Sequence, residues 1–240
     1  MVNGERAARR AEYDPWDKRL ILWQICDCQE LFSYNLRESL RKAVLARFIA
    51  GVKVVFNRNP TMVEKKLEIW TIGHSTRSIE EFIDVLNSFD IRMLADVRSF
   101  PGSRRYPHFN KEHLKTSLAD AGIEYQHFPE LGGRRRPQED SHNLAWRNES
   151  FRGYADYMEA EEFRAGVARL LEVAVAHSTA IMCAEAVWWR CHRSLISDYL
   201  KAKGVEVIHL IAEGRSEAHP FTSAARIVNG ELSYRGVLGV

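Results

Sequence analysis

Cysteine is scarce in this chain: four residues in 240, at positions 26, 28, 183 and 191. So few thiols in so long a chain exclude a disulfide scaffold and fit a reducing compartment. No Cys-x-x-Cys pair occurs, which removes the signature of a zinc ribbon or a thioredoxin-like site, and Cys26-Asp27-Cys28 alone does not make a metal site. Long apolar runs are also missing, and none approaches the roughly 18–20 residues that span a bilayer. The N-terminal "MVNGERAARRAEYDPWDK" carries charge but no apolar core of the kind a secretory signal needs. We therefore expect a cytoplasmic protein with no membrane partner. Net charge is small, 34 Lys/Arg against 32 Asp/Glu. Residues 1–61 hold 11 Lys/Arg against 7 Asp/Glu, which leaves 23 against 25 for residues 62–240. The main body thus lacks the positive excess of a nonspecific DNA binder.

What is present reads as one α/β domain behind an N-terminal extension. Asn59-Pro60 disfavours helix, and the charged Glu64-Lys65-Lys66 leads into an apolar stretch, so we place the boundary before Met62. Residues 1–61 are either a helical extension, as "LRESLRKAVLARFIAGV" suggests, or sequence lying upstream of the native start. From residue 67 onward, strand-like and helix-like segments alternate. Strands are predicted at "LEIWTIG" (67–73), "IRMLADV" (91–97), "IEYQHF" (123–128), "TAIMCA" (179–184) and "VEVIHLI" (205–211). Between them fall a helix over 78–89 opened by a Ser78/Glu81 capping box, and one over 111–122 with Asn110 as N-cap and Gly122 as stop. A long helix over 154–176 and one over 192–204 follow, and Asn229-Gly230 signals a hairpin in the tail. This order predicts a Rossmann-like three-layer sandwich: a mainly parallel sheet with helices on both faces.

In such sheets the site lies beyond the carboxyl ends of the strands. Those ends carry Gly73-His74-Ser75, then Asp96-Val97-Arg98, then Cys183-Ala184-Glu185. The stretch "CAEAVWWRCHRSLISDYL" (183–200) adds Arg190, Cys191, His192 and Arg193 where a helix begins. Free backbone N–H groups and the helix dipole favour an anion there, and guanidinium groups suit phosphate or carboxylate. A cysteine in the first turn would be drawn towards thiolate.

Candidate catalytic residues are therefore His74, Asp96, Cys183, Glu185 and Cys191. Candidate anion-binding residues are Ser75, Arg98, Arg104, Arg190, His192 and Arg193. A metal variant using His74, Cys183, Cys191 or His192 stays open, but their spacing matches no standard ligand set, so no metal ligand is assigned and the cofactor is left open. Six residues separate Cys183 from Arg190, against five in the cysteine-phosphatase signature, and tryptophans stand in place of glycines, so a phosphatase is not indicated. The bland alternatives are a buried structural Cys183, a core His74 and an Asp96–Arg98 pair that merely braces a loop.

"TIGHS", "ADVRSFPGSRRYPHFN", "LGG" and "CAEAVWWRCHRSLISDYL" together resemble the domain-of-unknown-function 488 family, from about Ile69 to Ile211. The resemblance implies an α/β domain with a catalytic or binding site and names neither activity nor cofactor. Three function classes stay open. The first is an enzyme acting on a small anionic or nucleotide-like substrate through Cys, His and Arg residues. The second is a nucleic-acid-binding or processing module, using Arg104-Arg105, Arg134 to Arg136, Tyr106, Phe109, Trp146, Trp188 and Trp189. The third is a scaffold domain without chemistry.

Overall fold

A computed structural model describes residues 66–236. The expected extension over 1–61 and the Cys26/Cys28 pair lie outside the described residues. Within them runs a six-stranded sheet in the order β3-β2-β4-β1-β5-β6. The strands are β1 (Glu68–Gly73), β2 (Met93–Asp96), β3 (Glu124–His127), β4 (Thr179–Cys183), β5 (Glu206–Ala212) and β6 (Arg215–Ala218). The first five are mutually parallel, and β6 returns antiparallel to β5. A separate hairpin, β7 (Arg226–Val228) with β8 (Glu231–Ser233), turns through Asn229 and Gly230, both at positive φ, as the Asn-Gly pair requires.

Helices cover both faces. Helix α1 (Ile79–Asn87) opens with the predicted capping box, Ser78 accepting from the Glu81 N–H and Glu81 accepting from the Ser78 N–H. It packs Phe82, Val85 and Leu86 with Leu114 and Leu118 of α2 (Lys111–Asp120) against one face of the sheet. The other face is filled from α3 (Glu149–Tyr157), α4 (Glu161–Ala176) and α5 (Arg193–Ala202), through Tyr154, Phe163, Leu170, Leu195 and Leu200. Burying an aliphatic or aromatic side chain of this size contributes about 1.5–3 kcal/mol, and the two clusters together hold the sheet as a dry central layer.

Three details differ from expectation. The helix predicted over 154–176 is two helices, because Ala160 turns extended and opens α4 separately. In the last turn of the first of them, buried Asp156 accepts from Gln138 N, Ser141 Oγ and Asn143 Nδ2, pinning the long loop after β3. Asn110 precedes α2 with extended backbone, but its carboxamide oxygen accepts from Ser103 N instead of capping the helix. Strand β6 was not anticipated; its residues Arg215–Ala218 are all exposed, so no hydrophobic alternation marks it.

The register aligns the carboxyl ends. Gly73 stands beside Cys183, and Asp96 beside Met182 on one side and His127 on the other. The segments ending at Gly73, Asp96 and Cys183 therefore share one rim, as the strand-end argument requires. No helix among the described residues is long and apolar enough to cross a membrane.

Candidate active site

Strand β2 ends in a paired unit. Arg98 turns back on Asp96, donating from Nε to Oδ1 at 2.9 Å and from Nη2 to Oδ2 at 2.6 Å, while its own backbone N–H also reaches Oδ1 at 3.0 Å. Tyr125 of β3 donates its hydroxyl to Oδ2 at 2.8 Å. Asp96 and Arg98 are both buried. Burial works against the Arg98 cation, but the Asp96 hydrogen bonds and charge hold it protonated above its ordinary range. The remaining guanidinium nitrogen, Nη1, faces His74 Nε2 at 3.4 Å.

His74 follows β1. Its Nδ1 lies 3.0 Å from the Ser75 carbonyl, an acceptor only, so Nδ1 carries the proton and Nε2 the lone pair turned to Arg98. Burial, then the Arg98 charge, lowers its pKa to about 4. Phe109, from the short 3-10 turn Pro107–Phe109, stacks on the ring at 4.2 Å, so the irregular loop after β2 closes over the histidine. Ser75 takes a positive φ and donates its backbone N–H to Ala184 O.

The third unit gathers the thiols. Cys183 ends β4, Cys191 follows the 3-10 turn Trp188–Arg190, and His192 is the residue at which α5 starts. The Cys191 and Cys183 sulfurs lie 3.6 Å and 4.0 Å from His192 Nδ1. His192 Nε2 stands 3.1 Å from the Val97 carbonyl, to which it donates. Both cysteines are free and buried. The nearness of Cys191 raises the Cys183 thiol, with burial adding to the effect. Cys183 in turn draws Cys191 below its ordinary range, against burial and with help from His192 and Arg193. Sulfur and imidazole donors in this arrangement can act as a nucleophile with its base or as ligands to a metal ion.

Two glycines allow this packing. A Cβ on Gly133 would stand 2.8 Å from His192 Nδ1, so the "LGG" turn after β3 lies flat against the imidazole. A Cβ on Gly73 would meet the Glu185 carbonyl oxygen at 1.8 Å, and only glycine admits the β4 loop so close to β1.

The other predicted residues separate by exposure. Arg104, Glu185 and Arg190 are exposed on loops beyond β2 and β4. Arg193, expected to reach an anion, is instead 1% exposed. Its Nη2 donates to Glu185 O at 2.5 Å and its Nη1 to Thr71 Oγ1 at 3.2 Å. Its long, amphipathic side chain binds the main chain of the rim from inside, and it charges the thiol pair from behind. A cavity of about 330 Å³ lined by Arg135, Arg136, Asp156 and Tyr157 opens beside α3, and none of the candidate catalytic or anion-binding residues lines it.

Sequence reasoning missed what lies behind Arg193. Thr71 Oγ1 is 2.7 Å from His209 Nδ1, His209 Nε2 is 2.9 Å from His219 Nδ1, and His219 Nε2 is 3.0 Å from Asp198 Oδ1. Asp198 also accepts from Thr222 and Tyr234. With Asp198 ionised, every donor in the row points one way, from Arg193 through Thr71, His209 and His219 to the carboxylate. Trp188 stacks on His209 at 4.3 Å and 9° and donates to Glu217 Oε1, which fastens the loop between the two cysteines to β5 and β6. A threonine and a histidine inside strands, and a second histidine just past one, carry no local signal of such a row.

No curated protein and no solved structure matches the chain. The family model described as "Domain of unknown function DUF488" matches residues 78–200. That span runs from the cap of α1 almost to the end of α5 and holds Asp96, Arg98, Cys183, Cys191, His192 and Arg193, with His74 just outside. Covering just over half of the chain, it places this protein in the DUF488 family.

Proposed function

We propose that the protein is an enzyme acting on a small anionic or nucleotide-like substrate at the carboxyl ends of β1, β2 and β4. The reactive centre is the Cys183–Cys191–His192 cluster. The observation that carries this reading is the convergence of two sulfurs and an imidazole nitrogen on one point of the strand rim, beside a buried arginine. Arg98 Nη1, the guanidinium nitrogen that makes no bond to Asp96, supplies an anion contact, and Asp96 holds that guanidinium in place. His74, neutral near pH 7, is the proton acceptor nearest to it. Exposed Arg104 and Arg190 draw anions toward the rim.

The test is turnover of a panel of phosphomonoesters, phosphodiesters and nucleotides. Cys191→Ser is expected to abolish activity, and Arg98→Lys to raise KM by losing the planar fork. The reading fails if nothing in the panel turns over and neither phosphate, sulfate nor nucleotide raises the Tm.

A second reading draws on the loops themselves. Exposed Arg104, Arg105, Arg134, Arg136 and Arg190 follow β2, β3 and β4, with Phe100 74% and Trp189 53% exposed among them. Cations interleaved with open aromatic faces suit a single-stranded nucleic acid. Exposed Glu139, Asp140 and Glu185 lie on the same loops and weaken that field. Oligonucleotide binding whose affinity falls steeply with salt, and falls again in Arg104→Glu/Arg105→Glu, would favour this reading.

A further inference from the structure

We infer that Cys183, Cys191 and His192 bind a thiophilic divalent cation, zinc in its coordination preferences, with the fourth position open toward Arg98. This rests on the proposed reading of the same cluster as the reactive centre, and it names what makes the centre reactive.

The first support is donor geometry. Zinc holds thiolate sulfur at about 2.3 Å and imidazole nitrogen at about 2.0–2.1 Å, nearly always tetrahedrally. Tetrahedral angles with those bonds separate a sulfur from the nitrogen by about 3.6 Å and the two sulfurs by about 3.8 Å. The observed separations from His192 Nδ1 are 3.6 Å for Cys191 and 4.0 Å for Cys183, and all three donor atoms lie within 4.8 Å of one another. The Cys183 sulfur stands a few tenths of an ångström beyond the ideal distance from the nitrogen, and the two sulfurs, within 4.8 Å of each other, need approach by at most about 1 Å to complete the site.

The second support is the state of the imidazole. The Val97 carbonyl can only accept, so the bond at 3.1 Å fixes the proton on Nε2. The Nδ1 lone pair then points at the sulfurs. A ligating histidine characteristically donates its other N–H to a carbonyl or carboxylate, which sets the tautomer and the ring direction. Gly133, by carrying no Cβ, leaves the ring in that plane.

The third support is charge. Two thiolates are costly to bury without compensation. Here the Arg193 guanidinium, buried and bonded to the Glu185 carbonyl of the same loop, favours negative charge on both sulfurs, and α5 begins directly after His192. A divalent ion between two thiolates and a neutral imidazole gives a centre of zero net charge.

Among the described residues no fourth His, Cys, Asp or Glu joins the cluster. Three protein ligands with a vacant fourth place are the pattern of a catalytic rather than a structural site. Arg98 follows Val97, the residue whose carbonyl holds His192, so a water or a substrate oxygen on the ion would have a guanidinium on the same stretch of rim. The long interval between Cys183 and Cys191 hides this site from any spacing rule, because the loop between them is folded back by Trp188 and Arg193.

The experiment uses the full chain, reduced and freed of metal with a chelator, then titrated with Co(II). We expect one equivalent to bind, with a sulfur-to-cobalt charge-transfer band and the intense visible bands of tetrahedral cobalt, both abolished when Zn(II) displaces it. Cys183→Ser and Cys191→Ser should each remove the charge-transfer contribution of one sulfur and weaken binding by about 100-fold or more, with far-UV circular dichroism confirming the fold. Should a serine variant not fold, the wild-type titration decides alone. Absence of stoichiometric binding overturns the inference, as does binding that survives unchanged in the folded double variant. Turnover or anion binding that is indifferent to the chelator also overturns it, yet leaves the enzyme reading standing on its thiols. Failure of the anion panel with a full cobalt signature does the reverse.

Discussion

Arg98 and Asp96 leave the same strand two residues apart, and the arginine folds back to grip the carboxylate with two guanidinium nitrogens and its own backbone N–H. Neither side chain can relax into solvent, since the pair is buried. Asp96→Asn keeps the shape and removes the charge, leaving a buried guanidinium with no anionic partner. We expect a loss of about 3–5 kcal/mol in urea unfolding. Tyr125→Phe, which deletes only the third donor to the carboxylate, should cost about 1 kcal/mol. Equal effects from the two would show that Asp96 serves the tyrosine and not the arginine.

Gly133→Ala places a methyl group 2.8 Å from His192 Nδ1. The ring is a side chain and can swing, so the stability cost should stay within about 1–3 kcal/mol. Swinging breaks its bond to Val97, however, and cobalt affinity should fall by about 10–100-fold. Unchanged affinity alongside a lower Tm would mean that the glycine serves packing only.

Gly73→Ala is harsher, because the methyl group would meet backbone: the Glu185 carbonyl at 1.8 Å, with Arg193 Nη2 at 2.8 Å. The β4 loop has to move as a unit, and we expect at least about 3 kcal/mol of destabilisation. A variant as stable as the parent would show that the loop is not clamped against β1.

The buried histidine row makes stability depend on pH. Burial, followed by the neighbouring His219 and the Arg193 guanidinium, lowers His209 from 6.5 to about 2. The unfolded chain therefore takes up a proton near pH 6.5 that the folded chain refuses until far lower. Stability from this group is complete above about pH 6.5 and is lost progressively as the pH falls below it. Urea midpoints measured from pH 7 down to pH 4.5 should fall, and His209→Gln should flatten that fall while lowering the value at pH 7. Parallel curves for the two proteins would assign the acid sensitivity to other groups.

Much of the rim was legible because it is a property of alternation: once strands and helices alternate, parallel strands and a shared carboxyl edge follow, and His74, Asp96 and Cys183 fall on it. The helical start at residues 191–193 was legible from its residue types. What the three residues do was not. Arg193 reads as an anion ligand until its own length is seen to carry it inward to Thr71 and Glu185. The Thr71–His209 bond spans 138 positions, and the Asp198 partners His219, Thr222 and Tyr234 come from the loops after β6 and β8, so no short window of sequence contains either. Strand β6, charged and open to solvent, is defined only by the edge of β5 that it covers.

The strand order has a consequence for synthesis. Strand β1, the first described element, bonds only to β4 and β5, and β4 begins at Thr179. A growing chain must therefore hold β1 without a neighbour until more than a hundred further residues have left the ribosome. The insertion of β4 fills the gap between β1 and β2 and delivers Cys183 to the rim in the same motion. Such distant pairing predicts slow, late folding, and nascent chains halted before Thr179 should give up the β1 segment readily to protease.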